Sequence, residues 1–470
     1  MANSDHSALE IIRKESLDIY NRLHSIEEDI SFVDEVHKFY SDIPIIPNLR
    51  CGAWYTNPAI SADIPAYFKS TDGHYGNWGF NLRRANLHLL PFVAQNRGLV
   101  LVDSTRSGKR IPDALSKTVP IWCAVVNRAV LRRYRDAEVG GAGEWDGALY
   151  TPPGVVSSQE HSQIALRVDG WAEALAASSF ELPRLPVPLR PIWITPSTSQ
   201  FPPISEGNEG SRFLPVICVS ASKQVQEGVE RRLGGFSYVQ GSGDDHELWG
   251  MGLTPQIFWD HRRDILSVGR PDLLHRVQQL VDESSQGTAR SAGRQDGTPV
   301  AKVRNRISID TVANVQSQLH GSMGKSPRLG YVLISDEDAG EEPAMDPNPS
   351  FPSTLTLRGP TGKKSQIYFL HEVLPKGLAF IKKELDAGHD ICVACPTGKD
   401  LSVGLALAAI SAYFDEEGTY TGHTTCPIVN KQAIKTRLEW IIASRPEANP
   451  SRTTLKRVNE YLLTDEHLRR

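Results

Sequence analysis

The stretch Ile391-Cys392-Val393-Ala394-Cys395-Pro396-Thr397-Gly398-Lys399-Asp400-Leu401-Ser402-Val403-Gly404 decides how the second half of this chain is read. Its apolar run is expected to be a buried strand ending at Cys395. A tight turn with Gly398 and Lys399 follows, and a helix is expected to open at Ser402 and run through Ile410. Strand, small-residue turn and helix N-terminus together aim several backbone N–H groups at one spot. The helix dipole adds partial positive charge there, so a phosphate is the natural guest.

The loop resembles the phosphate cradle of the cysteine-dependent phosphatases, Cys-x5-Arg-Ser/Thr. Counted from Cys395, the arginine position holds Leu401, and Ala394 stands where a histidine often precedes the nucleophile. That arginine clamps the phosphate bidentately and stabilises the group in transfer, and leucine does neither. Cys395, Pro396, Thr397, Gly398, Lys399, Asp400, Leu401 and Ser402 are therefore expected to bind phosphate without hydrolysing it. The competing reading is an ordinary strand-to-helix turn with a buried cysteine.

At 470 residues the chain exceeds one typical core, and two or three domains are expected. With 40% hydrophobic and 23% charged residues its composition is that of a globular protein. Six cysteines without paired extracellular spacing point to a reducing compartment, and Cys392 with Cys395 lacks the second pair a zinc site needs. Neither a signal peptide nor an apolar run of membrane length is read, so cytoplasm or nucleus is expected. A net charge of −4 excludes a generally basic nucleic-acid coat but not a local basic patch.

Earlier in the chain, residues 5–40 carry Ile11, Ile12, Leu17, Leu23, Ile26, Ile30, Val33 and Val36 at helical spacing and read as one or two amphipathic helices. Tyr67–Trp78 is dense in hydrogen-bonding side chains, including His74, and taken alone reads as a surface loop. Leu99–Asp103 then repeats the strand-into-turn pattern. It empties into Ser104, Thr105, Arg106, Ser107, Gly108, Lys109 and Arg110, with a helix expected near Asp113. Three basic residues at a helix entry favour an anionic guest. Helix 83–95, strand 99–103, Gly-Lys loop and helix parallel helix 372–386, strand 391–394, Gly-Lys loop and helix. An internal duplication of the phosphate-loop unit and coincidence both remain open.

Gly243-Asp244-Asp245-His246-Glu247 follows an apparent strand end. Asp244 and Asp245 suit Mg²⁺ and His246 suits proton transfer near neutral pH, whereas the plainer reading is an N-cap cluster. Adjacent strand residues face opposite ways, so only some of these groups are expected to converge. Arg128, Arg132, Arg133 and Arg135, with Lys435 and Arg437 on two closing helices, read as solvated faces or as contacts for an RNA backbone. The fold class is α/β: an N-terminal α/β domain over 1–285, a polar linker over 286–302, and a cysteine-phosphatase-like α/β domain over 303–470 with an acidic insertion at 336–351.

In order, Phe68–His74, Asp103–Arg110, Gly243–Glu247 and Cys395–Asp400 resemble the initiator tRNA ribosyl-phosphate transferase family of fungi and plants, over nearly the whole chain. The resemblance implies transfer of a 5-phosphoribosyl group from phosphoribosyl pyrophosphate to a ribose 2′-hydroxyl in the T-stem of initiator tRNA. That modification keeps the tRNA out of elongation. It also implies a phosphatase-like fold at the C-terminal end. On this reading the Arg106–Arg110 loop and the Lys399 cradle hold the donor, while Asp244, Asp245 and Glu247 hold Mg²⁺ or act as base, with His74 or His246 as alternative bases. The usual phosphoribosyltransferase signature, paired acids running into a Thr-Gly-Gly loop, is absent. The other readings are a phosphatase-like enzyme on RNA or phosphoinositide using Cys395, and a non-catalytic phosphate binder.

Overall fold

Leu99–Asp103 and Leu214–Ser220 are buried at every position. A strand with no polar face has to be covered on both sides, which is the situation of a parallel sheet between helices. The computed structural model describes residues 10, 12–106, 108–134, 145–204, 212–226, 229–291, 297–320, 328–336, 353–360, 362–422 and 429–464. It divides into two compact units, Met1–Thr288 and Ala289–Arg470.

The first unit holds a four-stranded sheet of β1 (Ile45–Pro47), β2 (Leu99–Asp103), β3 (Leu189–Ile194) and β4 (Leu214–Ser220), in the order β1-β2-β4-β3. Every pairing is parallel, so all four strands end on one edge. Helix α1 (Ile19–Phe39) buries Leu23, Ile26, Ile30, Val33 and Val36, the expected apolar stripe, and Asp18 caps it by accepting from Asn21 N. Each such side chain contributes about 1.5–3 kcal/mol when fully buried. Helix α2 (Leu89–Gln95) leads into β2. A π-helical turn at Ala114–Thr118 leads into α3 (Val119–Arg133), which packs on α4 (Ser158–Ala176). A small antiparallel ribbon of β5 (Val229–Arg231) and β6 (Ser237–Val239), then α5 (Pro255–Ser267) and α6 (Arg270–Ser291), complete the unit.

The second unit has a five-stranded sheet of β7 (Thr298–Pro299), β8 (Ile307–Thr311), β9 (Leu329–Asp336), β10 (Thr354–Gly359) and β11 (Asp390–Cys395), in the order β10-β9-β11-β8-β7. Only the edge strand β7 is antiparallel. Its helices are α7 (Val312–His320), α8 (Lys363–Tyr368), α9 (Leu374–Asp386), α10 (Leu401–Tyr413), α11 (Lys431–Ser444) and α12 (Arg452–Leu463). Helix α10 is buried from Ser402 to Ser411, as an all-apolar helix must be. Among the described residues no helix is long and apolar enough to cross a membrane.

Several expectations change in detail. Helix 83–95 is a 3₁₀ turn at Leu82–Arg84 followed by α2. Residues 286–291 of the expected linker continue α6, and Thr298–Pro299 joins the second sheet. Most of the acidic insertion, as well as Ser107 and Arg135, lies outside the described residues. The two loop-bearing strands share the helix–strand–loop–helix order, but the connectivity around them differs. In its own sheet β2 is the second strand in chain order, whereas β11 is the last.

Candidate active site and anion loops

Parallel strands deliver their carboxyl ends to one edge, and that edge of the first sheet collects the charged residues. Asp103, the last residue of β2, is fully buried. It accepts from Asn48 Nδ2 at 2.9 Å, from Arg50 Nε and Nη2 at 3.1 Å each, and from Cys51 Sγ at 3.0 Å. Burial, and then the Asp103 charge, push the Cys51 thiol well up, so it stays protonated and donates. Arg50 Nη1 reaches Asp244 Oδ1 at 2.8 Å. Arg106 bridges Asp244 and Asp245, with Nε 3.5 Å from one carboxylate and Nη1 2.5 Å from the other. The two acids therefore do converge. They can because Gly241–Asp245 is a turn rather than a strand, with Asp245 itself at φ +49°.

This arrangement does not fit the expected Mg²⁺ site at Asp244 and Asp245. Both Asp244 oxygens already face guanidinium groups, and among the described residues no group of three or more His, Cys, Asp or Glu side chains is set to hold a metal ion. Nor do Asp244 and Asp245 serve as side-chain caps of the 3₁₀ turn His246–Leu248. His246 lies edge-on to Trp54 at 5.6 Å, and Glu247 is largely exposed.

Ser104 and Thr105 are buried, and the loop carbonyls turn inward. Gln240 Nε2 lies 3.3, 3.1 and 2.7 Å from the carbonyls of Thr105, Arg106 and Lys109, and Ser220 Oγ donates to Arg110 O at 3.1 Å. In a planar trans peptide N–H opposes C=O, so the N–H groups of Arg106 and Arg110 point the other way, as an anion nest requires. Gly241 has to be glycine, because a Cβ there would stand 2.5 Å from Thr105 O. Gly108 supplies a left-handed turn in the loop and Arg110 is exposed. Lys109 is occupied: Lys109 and Lys117 both pair with Asp113, at 2.5 and 2.9 Å. Burial opposes the charge on Asp113, but these hydrogen bonds hold its carboxyl below the usual range. His74 Nε2 sits 3.8 Å from the same Asp113.

Behind the loop, Asp29 Oδ2 and Ser222 Oγ lie 2.5 Å apart, Tyr238 OH is 2.7 Å from Asp29 Oδ1, and Ser222 Oγ is 2.6 Å from Ser104 Oγ. Burial raises Asp29 to about 8 despite the partial pull of Ser222 and Tyr238.

In the second unit the cradle forms around a sulfur. Cys395 Sγ is 3.0 Å from Ser402 Oγ and 3.8 Å from Thr397 Oγ1. Burial alone raises this thiol, but hydrogen bonds from the Ser402 hydroxyl and N–H, Thr397 and the Asp400 N–H outweigh it and bring the thiol below the ordinary cysteine value. Arg445, buried at the end of α11, donates through Nε to Gly398 O at 3.0 Å and through Nη1 to Ile309 O at 3.3 Å. Gly398 sits at φ +63°, with Arg445 Nη2 2.9 Å from where a Cβ would be. Lys399 pairs with Glu447 at 3.3 Å, Asp400 accepts from Ser451 N, and Leu401 is partly buried at the position expected for arginine. Pro396 is exposed at the loop's entry.

Most of the expected RNA-contacting arginines are engaged elsewhere. Arg128 and Arg132 share Asp169 at 3.0 and 2.8 Å. Arg133 caps the end of α4 by donating to the carbonyls of Ala176, Ser178 and Phe180. Arg437 is buried and donates to Phe414 O at 3.0 Å, which removes it from any RNA surface. Of the described ones only Arg132 and Lys435 are exposed. Arg50, Asn48 and Gln240 were not singled out from sequence, and Arg445 was read only among the basic residues of the closing helices, as solvated or as an RNA-backbone contact. Each is a solitary residue whose partners lie far along the chain.

Residues 12–282 match the family described as the Rit1 N-terminal domain, and residues 353–462 match the Rit1 DUSP-like domain. The chain belongs to the Rit1 family. A tRNA A64-2'-O-ribosylphosphate transferase of Saccharomyces cerevisiae is 34% identical over 96% of this Rit1-family chain and 93% of its own length. An uncharacterized protein of Schizosaccharomyces pombe is 40% identical, over 94% of each. Among solved structures, human DUSP28 is 15% identical with a TM-score of 0.22, over 35% of this chain and 93% of its own. A mouse putative dual specificity phosphatase is also 15% identical, with a TM-score of 0.23 over 36% and 92%. At such scores the solved structures carry no argument about the Rit1 chain.

Proposed function

We propose that this protein transfers a 5-phosphoribosyl group from phosphoribosyl pyrophosphate to a ribose 2′-hydroxyl in the T-stem of initiator tRNA, in the cytoplasm or nucleus, and so keeps that tRNA out of elongation. The observation that carries the reading is 34% identity over 96% of the chain to a tRNA A64-2'-O-ribosylphosphate transferase. The chemistry suits the strand-edge cluster. The bond from the anomeric carbon to pyrophosphate breaks, a bond to the 2′-oxygen forms, and the hydroxyl proton goes to a base. Arg50 and Arg106 are the natural clamp for the leaving pyrophosphate. When that anion takes over Arg106, Asp245 loses its partner and becomes a free carboxylate within the same cluster, placed to accept the proton. Mg²⁺ has no seat among these carboxylates, whose oxygens face Arg50 and Arg106. The Ser104–Arg110 loop and the Cys395–Ser402 cradle are both assigned to phosphate groups.

A hydrolytic role for Cys395 is disfavoured by Leu401, which supplies no guanidinium to a transferring phosphoryl group. The deciding experiment incubates the purified chain with initiator tRNA and labelled phosphoribosyl pyrophosphate, with and without added Mg²⁺. Label resistant to removal from the ribose 2′-oxygen is expected. RNA free of label under every condition rejects the transferase reading.

A further inference from the structure

Helix α1 carries a polar stripe beside its apolar one. Asn21, Arg22, Ser25 and Asp29 fall on one face at helical spacing. That stripe grips the segment that runs from β6 into the Gly241–Asp245 turn. Asn21 Oδ1 accepts from Ser237 N at 3.0 Å, Ser25 Oγ accepts from Val239 N at 2.8 Å, and Tyr238 OH donates to Asp29. Arg22 reaches furthest along the segment. Its Nη1 donates to Ser242 O at 3.0 Å and to Asp244 O at 3.4 Å, while Nε donates back to Ser16 O at 2.5 Å.

The helix itself gains nothing from a cation at this place. Arg22 stands in the first turn of α1, where the helix dipole disfavours positive charge. Burial pulls its pKa below the usual guanidinium value, the charges of Asp245 and Asp244 pull it back, and that of Arg106 adds to the fall. Its placement is explained by what it holds. The guanidinium lies over the Trp249 ring at 5.4 Å, and Trp249 Nε1 donates to the same Asp244 carbonyl at 3.3 Å. The N–H side of the turn has its own partner: Gly243 N donates to Tyr55 OH at 2.7 Å. Tyr55 is fully buried, and burial pushes its phenol far up, so it stays neutral. Trp54 presses on the turn from below, 2.8 Å from where a Cβ on Gly243 would stand. Held in this way, Asp245 keeps a left-handed backbone that an aspartate seldom adopts.

We propose that Arg22 and Tyr55 are positioning residues for the transfer reaction, fixing the turn so that Asp244 stays between Arg50 and Arg106 and Asp245 stands where it accepts the hydroxyl proton. The proposal rests on the transferase reading and on Asp245 as the base. Arg22 gives its donors to backbone carbonyls, which leaves the Asp244 carboxylate oxygens to Arg50 and Arg106. Both residues act through the turn. A misplacement of about 1 Å in a reacting group can cost about 100-fold in rate, so a turn free to shift is a turn that fails to catalyse.

The test compares the full-length wild type with Arg22→Met, Arg22→Lys and Tyr55→Phe. Kinetics with initiator tRNA and phosphoribosyl pyrophosphate give kcat and KM, and hydrogen exchange read by mass spectrometry follows peptides over residues 241–249. Arg22→Met is expected to lower kcat about 30-fold with the donor's KM held within about threefold. Exchange over 241–249 should rise while the central sheet strands keep their protection. Arg22→Lys, which restores a charged donor, regains most of the lost rate. Tyr55→Phe lowers kcat about tenfold and decides the matter if Arg22→Met does not fold. Adding Arg22→Met to Asp245→Asn lowers the rate no further than Asp245→Asn alone, because one residue acts through the other. A merely structural role would lower the melting temperature and leave kcat of the folded protein unchanged. That result, or unchanged exchange over 241–249, overturns the proposal. A wild type that transfers nothing rejects the transferase reading instead, and exchange alone then decides whether Arg22 holds the turn.

Discussion

The loop after β2 and the loop after β11 begin from the same local plan and are finished by different partners. In each, the carbonyl face is gathered by a side chain far away in sequence. Gln240 does this 135 residues from Thr105, and Arg445 does it 47 residues from Gly398. Holding the carbonyls back leaves the opposite N–H face available, which is the physical requirement for an anion seat. What fills that face differs. The first loop opens onto the arginines and carboxylates of Arg50, Arg106, Asp244 and Asp245. The second turns its N–H groups onto the sulfur of Cys395. A turn can thus be built to bind phosphate while its chemistry is set by residues the turn does not contain.

The largest expected effect separates the two loops by activity. Arg106→Ala is expected to lower kcat/KM for transfer by about 100-fold, the scale for removing one charge-stabilising donor, with little change in melting temperature because this side chain is mostly exposed. Normal transfer by that variant would move the chemistry away from the first loop. Next, Arg445→Met should destabilise the second unit by about 2–4 kcal/mol, since it strands buried carbonyls once bound by a charged donor, and denaturant unfolding reads the loss. Gln240→Ala is the matching test in the first unit, with a loss of about 1–3 kcal/mol. Equal costs would weaken the contrast between a charged and a neutral gatherer.

A third test uses pH. Between the ordinary carboxylate range and about 8, the unfolded chain releases the Asp29 proton while the folded chain keeps it. The unfolded state then binds fewer protons, so stability falls as pH rises through that window and levels off above it. Asp29→Asn removes this fall, and its melting temperature relative to wild type should climb by a few degrees from pH 5 to pH 8. A flat difference would show that Asp29 is charged behind the first loop. The smallest effect is expected for Cys395→Ser, with transfer retained within about threefold because Ser402 and the backbone N–H groups still define the cradle. Abolished transfer would make the sulfur a participant and erase the distinction between the loops.

Leu99–Asp103 and Leu214–Ser220 were legible because buried parallel strands are written as unbroken apolar runs, whereas the strands Ile45–Pro47, Ile307–Thr311 and Thr354–Gly359 drew no strand reading. The cradle at Cys395–Ser402 was legible because glycine, small residues and an apolar helix are contiguous. Convergence of Asp244 and Asp245 was not legible, since it depends on a turn whose Asp245 takes a left-handed conformation and on Arg106 arriving from another strand end. The arginines at 128, 132 and 133 looked like a nucleic-acid face because sequence shows their charge but not Asp169 or the carbonyls at the end of α4. Arg50 carried no signal: it follows β1 in a stretch broken by Pro44, Pro47 and Gly52, and its acceptors lie 53 and 194 residues away.

One carboxamide, that of Asn48, is shared between the strand-edge acid Asp103 and the backbone of Phe68, with no spare atom to serve either alone. Substitutions on the two sides should then show non-additive energies, and a change at Phe68 is expected to be felt at Asp103 through that carboxamide. The chain cannot retune one of these places without disturbing the other, so they behave as a single inherited piece of machinery.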